Sequence, residues 1–109
     1  MKTRIDPDLG QIVEGIINVG FKDVACEKEI KDYLAKHTLG YERHFPGMAF
    51  DSPSAAVREL ARQYKLHVAP GNEKYIIDEF KKQPIVEYAE PEMPLYACGG
   101  GCANCKCKN

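Results

Sequence analysis

Hydrophobic side chains recur with two different periods along this chain, and the order of those periods limits the folds that it can adopt. Helical spacing predicts a helix over residues 26–38, with an apolar face made of Ile30, Tyr33, Leu34 and His37. A second helix is predicted over 73–83, which ends before Pro84 and places Tyr75, Ile76 and Phe80 in the core. A shorter helix is predicted over 54–62.

Strand-like segments separate these helices. Apolar and β-branched residues or strict alternation predict strands at 11–22, 41–45, 64–68 and 85–91. Tyr64, Leu66 and Val68 alternate with polar neighbours, whereas in the last strand Val86 and Tyr88 are expected on one face and Glu87 on the other. Residues 1–10 show neither period and are interpreted as a loose lead-in.

The resulting order is strand, helix, strand, short helix, strand, helix, strand. Two main helices on one face of a four-stranded antiparallel sheet satisfy this order, and they define an α+β fold of the ferredoxin-like type. With 109 residues the chain fits a single domain. We expect that domain to span residues 1–97, with a flexible Cys- and Gly-rich tail at 98–109.

Charge and hydropathy exclude several classes of partner. The net charge of −1 is spread along the chain, so no basic stripe is offered to nucleic acid. There is no apolar run long enough to span a membrane, and the N-terminus has no signal-peptide core. We therefore expect a cytoplasmic protein, in which clustered thiols favour metal or redox chemistry over disulfides. Cys26, far from the other cysteines, is expected to be small and partly buried.

The segment ARQYKLHVAPGNEKYIIDEFKKQPIVEYAEPE resembles the propeptides of subtilisin-like serine proteases and their stand-alone inhibitor relatives. The family pattern of a strand, a Pro/Gly turn, a helix, a K-x-P-x-V turn and a V-x-Y-x-E-P strand is matched by Lys82, Pro84, Val86, Tyr88, Glu90 and Pro91. INVGFKD and EKEIKDYLAKH fit the opening strand and helix of the family more loosely. The resemblance covers roughly residues 12–97. Residues 46–62 are longer than in compact members, and the cysteine tail is foreign to the family.

The resemblance implies a protein that binds a subtilisin-like protease and is not itself an enzyme. Such domains dock their sheet on the protease and lay the next segment into the active-site cleft as an added strand. Here the protease-binding residues would be Glu90, Glu92, Met93, Pro94, Leu95, Tyr96, Ala97 and Cys98. Glu90 and Glu92 match acids that cap protease helices in the family, Leu95 would fill an apolar pocket, and Cys98 would lie near the cleavage position. Inhibition and assistance of protease folding both remain open, and neither needs a cofactor.

The C-terminal tail offers a different function. Cys98, Cys102, Cys105 and Cys107 form the pattern C-x3-C-x2-C-x-C. Four thiolates can bind zinc or copper(I), although the short spacing is closer to a metallothionein-like stretch than to a zinc knuckle. Two other interpretations remain: the thiols are incidental, or the tail is a core peptide that a peptide-modifying enzyme processes after a folded leader domain.

Overall fold

The computed structural model describes residues 2–94. Its elements, in chain order, are β1 (Thr3–Asp6), β2 (Gly10–Val13), β3 (Ile16–Phe21), α1 (Glu27–His37), β4 (Gly40–Arg43), α2 (Ala55–Ala61), β5 (Gln63–His67), α3 (Glu73–Lys81) and β6 (Val86–Pro91). The helices and the last three strands of the chain therefore lie within a few residues of their predicted positions.

A four-stranded antiparallel sheet with strand order β4-β5-β3-β6 forms the centre of the molecule. Strands β3 and β5 are central, while β4 and β6 are edges. The mixed α+β content and the antiparallel sheet confirm the predicted fold class. The ferredoxin-like name asserts a likeness to known folds beyond this, and it stays a prediction.

Helices α1 and α3 pack against the same face of the sheet. Their buried apolar residues are Ile30 and Leu34 of α1 and Ile77 and Phe80 of α3. They join a single hydrophobic cluster with the inward side chains of the sheet: Ile17, Val19, Phe21, Tyr64, Leu66, Val86 and Ala89. Burial of this set supplies the main driving force for folding, because each large apolar side chain contributes about 1.5–3 kcal/mol when removed from water.

The N-terminal residues form a β-hairpin, so the prediction of a loose lead-in at 1–10 was wrong. Strands β1 and β2 pair antiparallel, from Thr3 opposite Val13 to Asp6 opposite Gly10. The predicted strand 11–22 is accordingly two strands, which separate at Gly15, where φ is +75°. A left-handed conformation of this kind suits glycine, and it allows β2 and β3 to diverge into separate sheets.

Strand β6 contains an irregularity that corrects the predicted faces. Val86 lies opposite Phe21 and Tyr88 opposite Gly20, so Glu87 is an extra residue in the ladder. Because a bulge shifts the alternation by one residue, Val86 and Ala89 face the core and Tyr88 faces the other side. The expectation that Val86 and Tyr88 share a face was therefore wrong.

Two further predictions of burial were wrong. Tyr75 was assigned to the core but is 65% exposed, and Ile77 is buried in its place. Cys26 was expected to be partly buried but is exposed as the N-cap residue of α1. Helical phase explains the first case, since Ile77 and Phe80 are three residues apart and select the face that meets the sheet.

Residues 44–54, the loop between β4 and α2, are held by an aromatic contact. The ring of Phe50 lies between two guanidinium groups, with Arg43 and Arg62 each 4.8 Å from its centroid. Arg62 is buried and donates to the carbonyl oxygens of Ala25 and Phe50, at 2.9 and 3.1 Å. Cation–π contacts and satisfied donors therefore anchor this loop to the domain.

Candidate docking face and C-terminal exit

The face of the sheet opposite the helices is lined by polar side chains. One row crosses all four strands, because Glu42 pairs with Lys65, Lys65 with Asn18, and Asn18 with Glu90. Glu42 and Glu90 are exposed, and Lys65 and Asn18 are half-buried. We call this surface, defined by Glu42, Lys65, Asn18, Glu90 and Tyr88, the open face.

Tyr88 provides the aromatic part of the open face. A Cβ atom added at Gly20 would lie 2.1 Å from Cε1 of Tyr88, so the ring rests directly on the glycine backbone. Burial of the phenol, with Glu90 and Glu87 nearby, raises the pKa of Tyr88 above its ordinary value. The ring is therefore neutral at physiological pH, half-buried and available to a partner on one side.

Asn18 connects β4 to the end of β6. Its amide Nδ2 donates to a carboxylate oxygen of Glu92 at 2.5 Å, and its Oδ1 lies 2.9 Å from Nε2 of His44. The carboxylate of Glu92 is thus held beside β3, whereas the carboxylate of Glu90 is exposed and makes no hydrogen bond or ion pair with the described residues. Sequence reasoning missed Asn18, although a polar residue within the apolar strand IINVGF marks the uncovered side.

The chain leaves the sheet beside the N-terminal hairpin. The carbonyl oxygen of Glu92 accepts the N–H of Val13 at 2.8 Å, and the N–H of Glu92 points to the carbonyl oxygen of Ile16 at 3.5 Å. Met93 is 53% exposed and Pro94 is half-buried. Of the predicted protease-binding residues, Glu90, Glu92, Met93 and Pro94 are therefore placed on one continuous edge. Leu95, Tyr96, Ala97 and Cys98 lie outside the described residues.

A buried carboxylate ties the hairpin to α3. Glu73, the first residue of α3, is fully buried and accepts the N–H groups of Gly15 at 2.7 Å and Gly71 at 3.0 Å, together with the guanidinium of Arg4. Burial raises the pKa of Glu73, but these donors outweigh it and hold the pKa below its ordinary value. Glu73 is therefore ionised at neutral pH.

Asp6 completes this network on the hairpin side. Its carboxylate accepts the N–H groups of Asp8 at 2.8 Å and Leu9 at 3.1 Å, which are the main cause that lowers its pKa. Arg4 also contacts it at 3.1 Å. One guanidinium thus bridges two carboxylates, one at the end of β1 and one at the start of α3.

The other predicted features have these positions. Within residues 2–94, there is no group of three or more His, Cys, Asp or Glu side chains that could hold a metal ion. The predicted ligands Cys98, Cys102, Cys105 and Cys107 lie outside the described part of the chain. His44 and His67 are exposed. None of the helices in the described region is long and apolar enough to cross a membrane.

Comparison of the chain with protein-family models, curated proteins and solved structures finds no match.

Proposed function

We propose that this protein binds a subtilisin-like serine protease, as an inhibitor or as a folding chaperone, and directs residues 90–98 into the active-site cleft. The observation that carries the proposal is the asymmetry of the sheet. Both main helices cover one face, while the open face is bordered by β6, the strand that continues into the predicted inserting segment.

The geometry of β6 supports strand addition. It is an edge strand with β3 as its one neighbour in the four-stranded sheet, and it is followed by residues whose side chains are exposed or half-buried. An edge of this kind presents unpaired backbone groups to an incoming chain. Pro91 and Pro94 restrict the backbone and favour an extended course, which lowers the entropy lost on insertion.

The acids predicted to cap protease helices are not equivalent. Glu90 is exposed and lies on the open face, so its carboxylate is free to approach the N-terminus of a partner helix. Glu92 is already bonded to Asn18 and to the backbone of Val13. We therefore assign the capping role to Glu90 and regard Glu92 as part of the exit from the sheet.

Titration of a broad-specificity subtilisin-type protease with the full chain tests the proposal. We expect inhibition at about micromolar concentration or below. Glu90→Arg should weaken it about tenfold or more, because it puts a cation against a helix N-terminus. The matched control is Glu27→Arg in α1, on the helix-covered side, which should change inhibition less than about twofold. Absence of inhibition, together with absence of cleavage near residue 98, would remove the proposal.

The cysteine pattern of the tail supports a second candidate, in which the domain presents Cys98–Cys107 to a metal or to a peptide-modifying enzyme. The two candidates predict opposite results for a chain truncated after Cys98. Inhibition survives this truncation under the first, whereas binding of zinc or copper(I), or modification, is lost under the second. Titration of the full chain with each metal, with the truncated chain as control, measures the second directly.

A further inference from the structure

The N-terminal hairpin contacts the start of the segment that leaves the sheet. Thr3 and Val13 are opposite each other, and the N–H of Val13 points away from β1 to the carbonyl oxygen of Glu92. The β3–β6 ladder ends where Pro91 pairs with Ile17. In the described residues after Pro91, the bond from Val13 at 2.8 Å is the shorter of the two backbone bonds of Glu92, the other being 3.5 Å to Ile16. Beyond the end of the β3–β6 ladder, β2 of the hairpin therefore takes the place of β3 as the strand beside the chain.

The hairpin is itself fixed to the domain by polar contacts. Arg4 in β1 reaches the buried carboxylate of Glu73 at the start of α3, and Gly15, between β2 and β3, donates its N–H to the same carboxylate. Leu9 in the hairpin turn packs against the hydrophobic core. The position of β2, and with it the N–H of Val13, is thus determined by contacts distant in sequence.

We propose that the N-terminal hairpin is a positioning clamp that sets the direction in which the chain leaves β6. Its effect on a protease rests on the proposed function, but the clamp itself does not. Arg4 acts as a positioning residue through Val13 and Glu92. Arg4 and most of the hairpin, residues 3–11, lie before the region of family resemblance, so the hairpin is an addition of this chain to that pattern.

The physical argument is one of restricted freedom. An inserting strand binds well when its backbone is already extended in the right direction, because fewer conformations are lost on binding. The bond from Val13 restrains residue 92, and Asn18 restrains the Glu92 side chain from the opposite strand. With both restraints in place, the position and the direction of the chain are defined where it reaches Pro94.

Amide hydrogen exchange of the full-length protein, measured by NMR, tests the clamp without a protease. In Arg4→Met we expect the Val13 amide to exchange roughly ten- to hundredfold faster than in the wild type. The amides of Val19 and Leu66, in the two central strands, should change less than about threefold. Lys28→Met, which removes a cation from an exposed pair on α1, is the matched control and should leave Val13 unchanged.

A Val13 amide whose exchange is the same in Arg4→Met as in the wild type would overturn the clamp. If Arg4→Met loses protection throughout the sheet, Arg4→Lys carries the test, since it keeps the charge but its shorter side chain ends before the position of Nη2, the one nitrogen that contacts both carboxylates. In that variant the clamp requires faster exchange at Val13 with Val19 unchanged, and equal exchange at Val13 overturns it.

Inhibition constants of the wild type and the variants distinguish a failure of the clamp from a failure of the proposed function. Where the wild type inhibits a protease, Arg4→Met should raise the inhibition constant about tenfold or more, and Lys28→Met should not. Faster exchange at Val13 with an unchanged inhibition constant would overturn the positioning role. A wild type that inhibits no protease defeats the proposed function, while the exchange of Val13 still decides whether the hairpin restrains residue 92.

Discussion

Replacement of Glu73 by glutamine tests the network that joins the hairpin to α3. The carboxylate has three donors: one oxygen accepts the N–H of Gly15, and the other accepts the N–H of Gly71 and the guanidinium of Arg4. Glutamine has the same shape but a single acceptor oxygen, so its NH₂ group must face at least one of these donors.

The size of the effect follows from the number of donors. Leaving one buried backbone N–H unpaired costs about 1–3 kcal/mol, and loss of the charge weakens the remaining bonds to the site. We therefore expect Glu73→Gln to lower the free energy of unfolding by about 2–4 kcal/mol at neutral pH, which corresponds to a fall in Tm of roughly 10–25 °C for a domain of this size. Urea and thermal unfolding followed by circular dichroism measure both quantities.

The lowered pKa of Glu73 determines how its contribution to the free energy of unfolding changes with pH. The pKa of Glu73 is lowered on folding, so the unfolded state binds the proton more tightly. Its contribution to stability is complete above the unfolded pKa of about 4.3 and is lost as pH falls through the lower folded value. The difference between wild type and Glu73→Gln should therefore shrink below about pH 4.

Glu79→Gln is the matched control, since Glu79 lies on the same helix and pairs at the surface with Lys82. It should change the free energy of unfolding by less than about 0.5 kcal/mol. The reasoning is refuted if Glu73→Gln behaves like this control, or if its deficit is the same at about pH 7 and pH 3.

Three further substitutions probe the core, the open face and a helix terminus. Tyr64 has a buried hydroxyl without a hydrogen-bond partner among the described residues, and burial raises its pKa to about 12. Tyr64→Phe should therefore leave the free energy of unfolding in urea unchanged or raise it by up to about 1 kcal/mol. A decrease in the free energy of unfolding would contradict the absence of a partner for the hydroxyl. Gly20→Val displaces the ring of Tyr88 and should lower the free energy of unfolding by about 1–3 kcal/mol, measured by thermal unfolding. In a Tyr88→Ala background the decrease should be much smaller, and equal decreases in the two backgrounds would contradict the contact. Ser54→Ala removes the oxygen that accepts the N–H of Val57 at 3.4 Å and should cost about 1 kcal/mol, whereas an unchanged Tm would exclude a capping role.

Local patterns predicted the main elements because those elements bury a regular face. Ile30 and Leu34 on α1, and Tyr64 and Leu66 on β5, repeat with the period of the element that contains them. The same reasoning misplaced Tyr75, since Tyr75, Ile76 and Ile77 are three consecutive apolar residues and do not by themselves fix the helical phase. Contact with the sheet selected Ile77 and Phe80.

The open face could be anticipated in part. Alternation in β5 indicated that Lys65 and His67 point away from the core, which the structure confirms. The place of Tyr88 could not be anticipated, because the extra residue Glu87 reverses the alternation of β6 after Val86. Such a bulge depends on pairing with β3 and has no distinct signal in the sequence of one strand.

What the sequence determined by itself is the order and type of the elements between residues 16 and 91, since each depends on neighbours a few positions away. The tertiary structure alone decided the hairpin of residues 3–13 and the exit after Glu92. Both depend on partners far along the chain, above all the carboxylate of Glu73, which binds Arg4 across 69 positions and Gly15 across 58. An isolated two-stranded hairpin is marginally stable in water, so this one depends on contacts with the rest of the domain, which include the bonds to Glu73 and the burial of Ile12 and Val13.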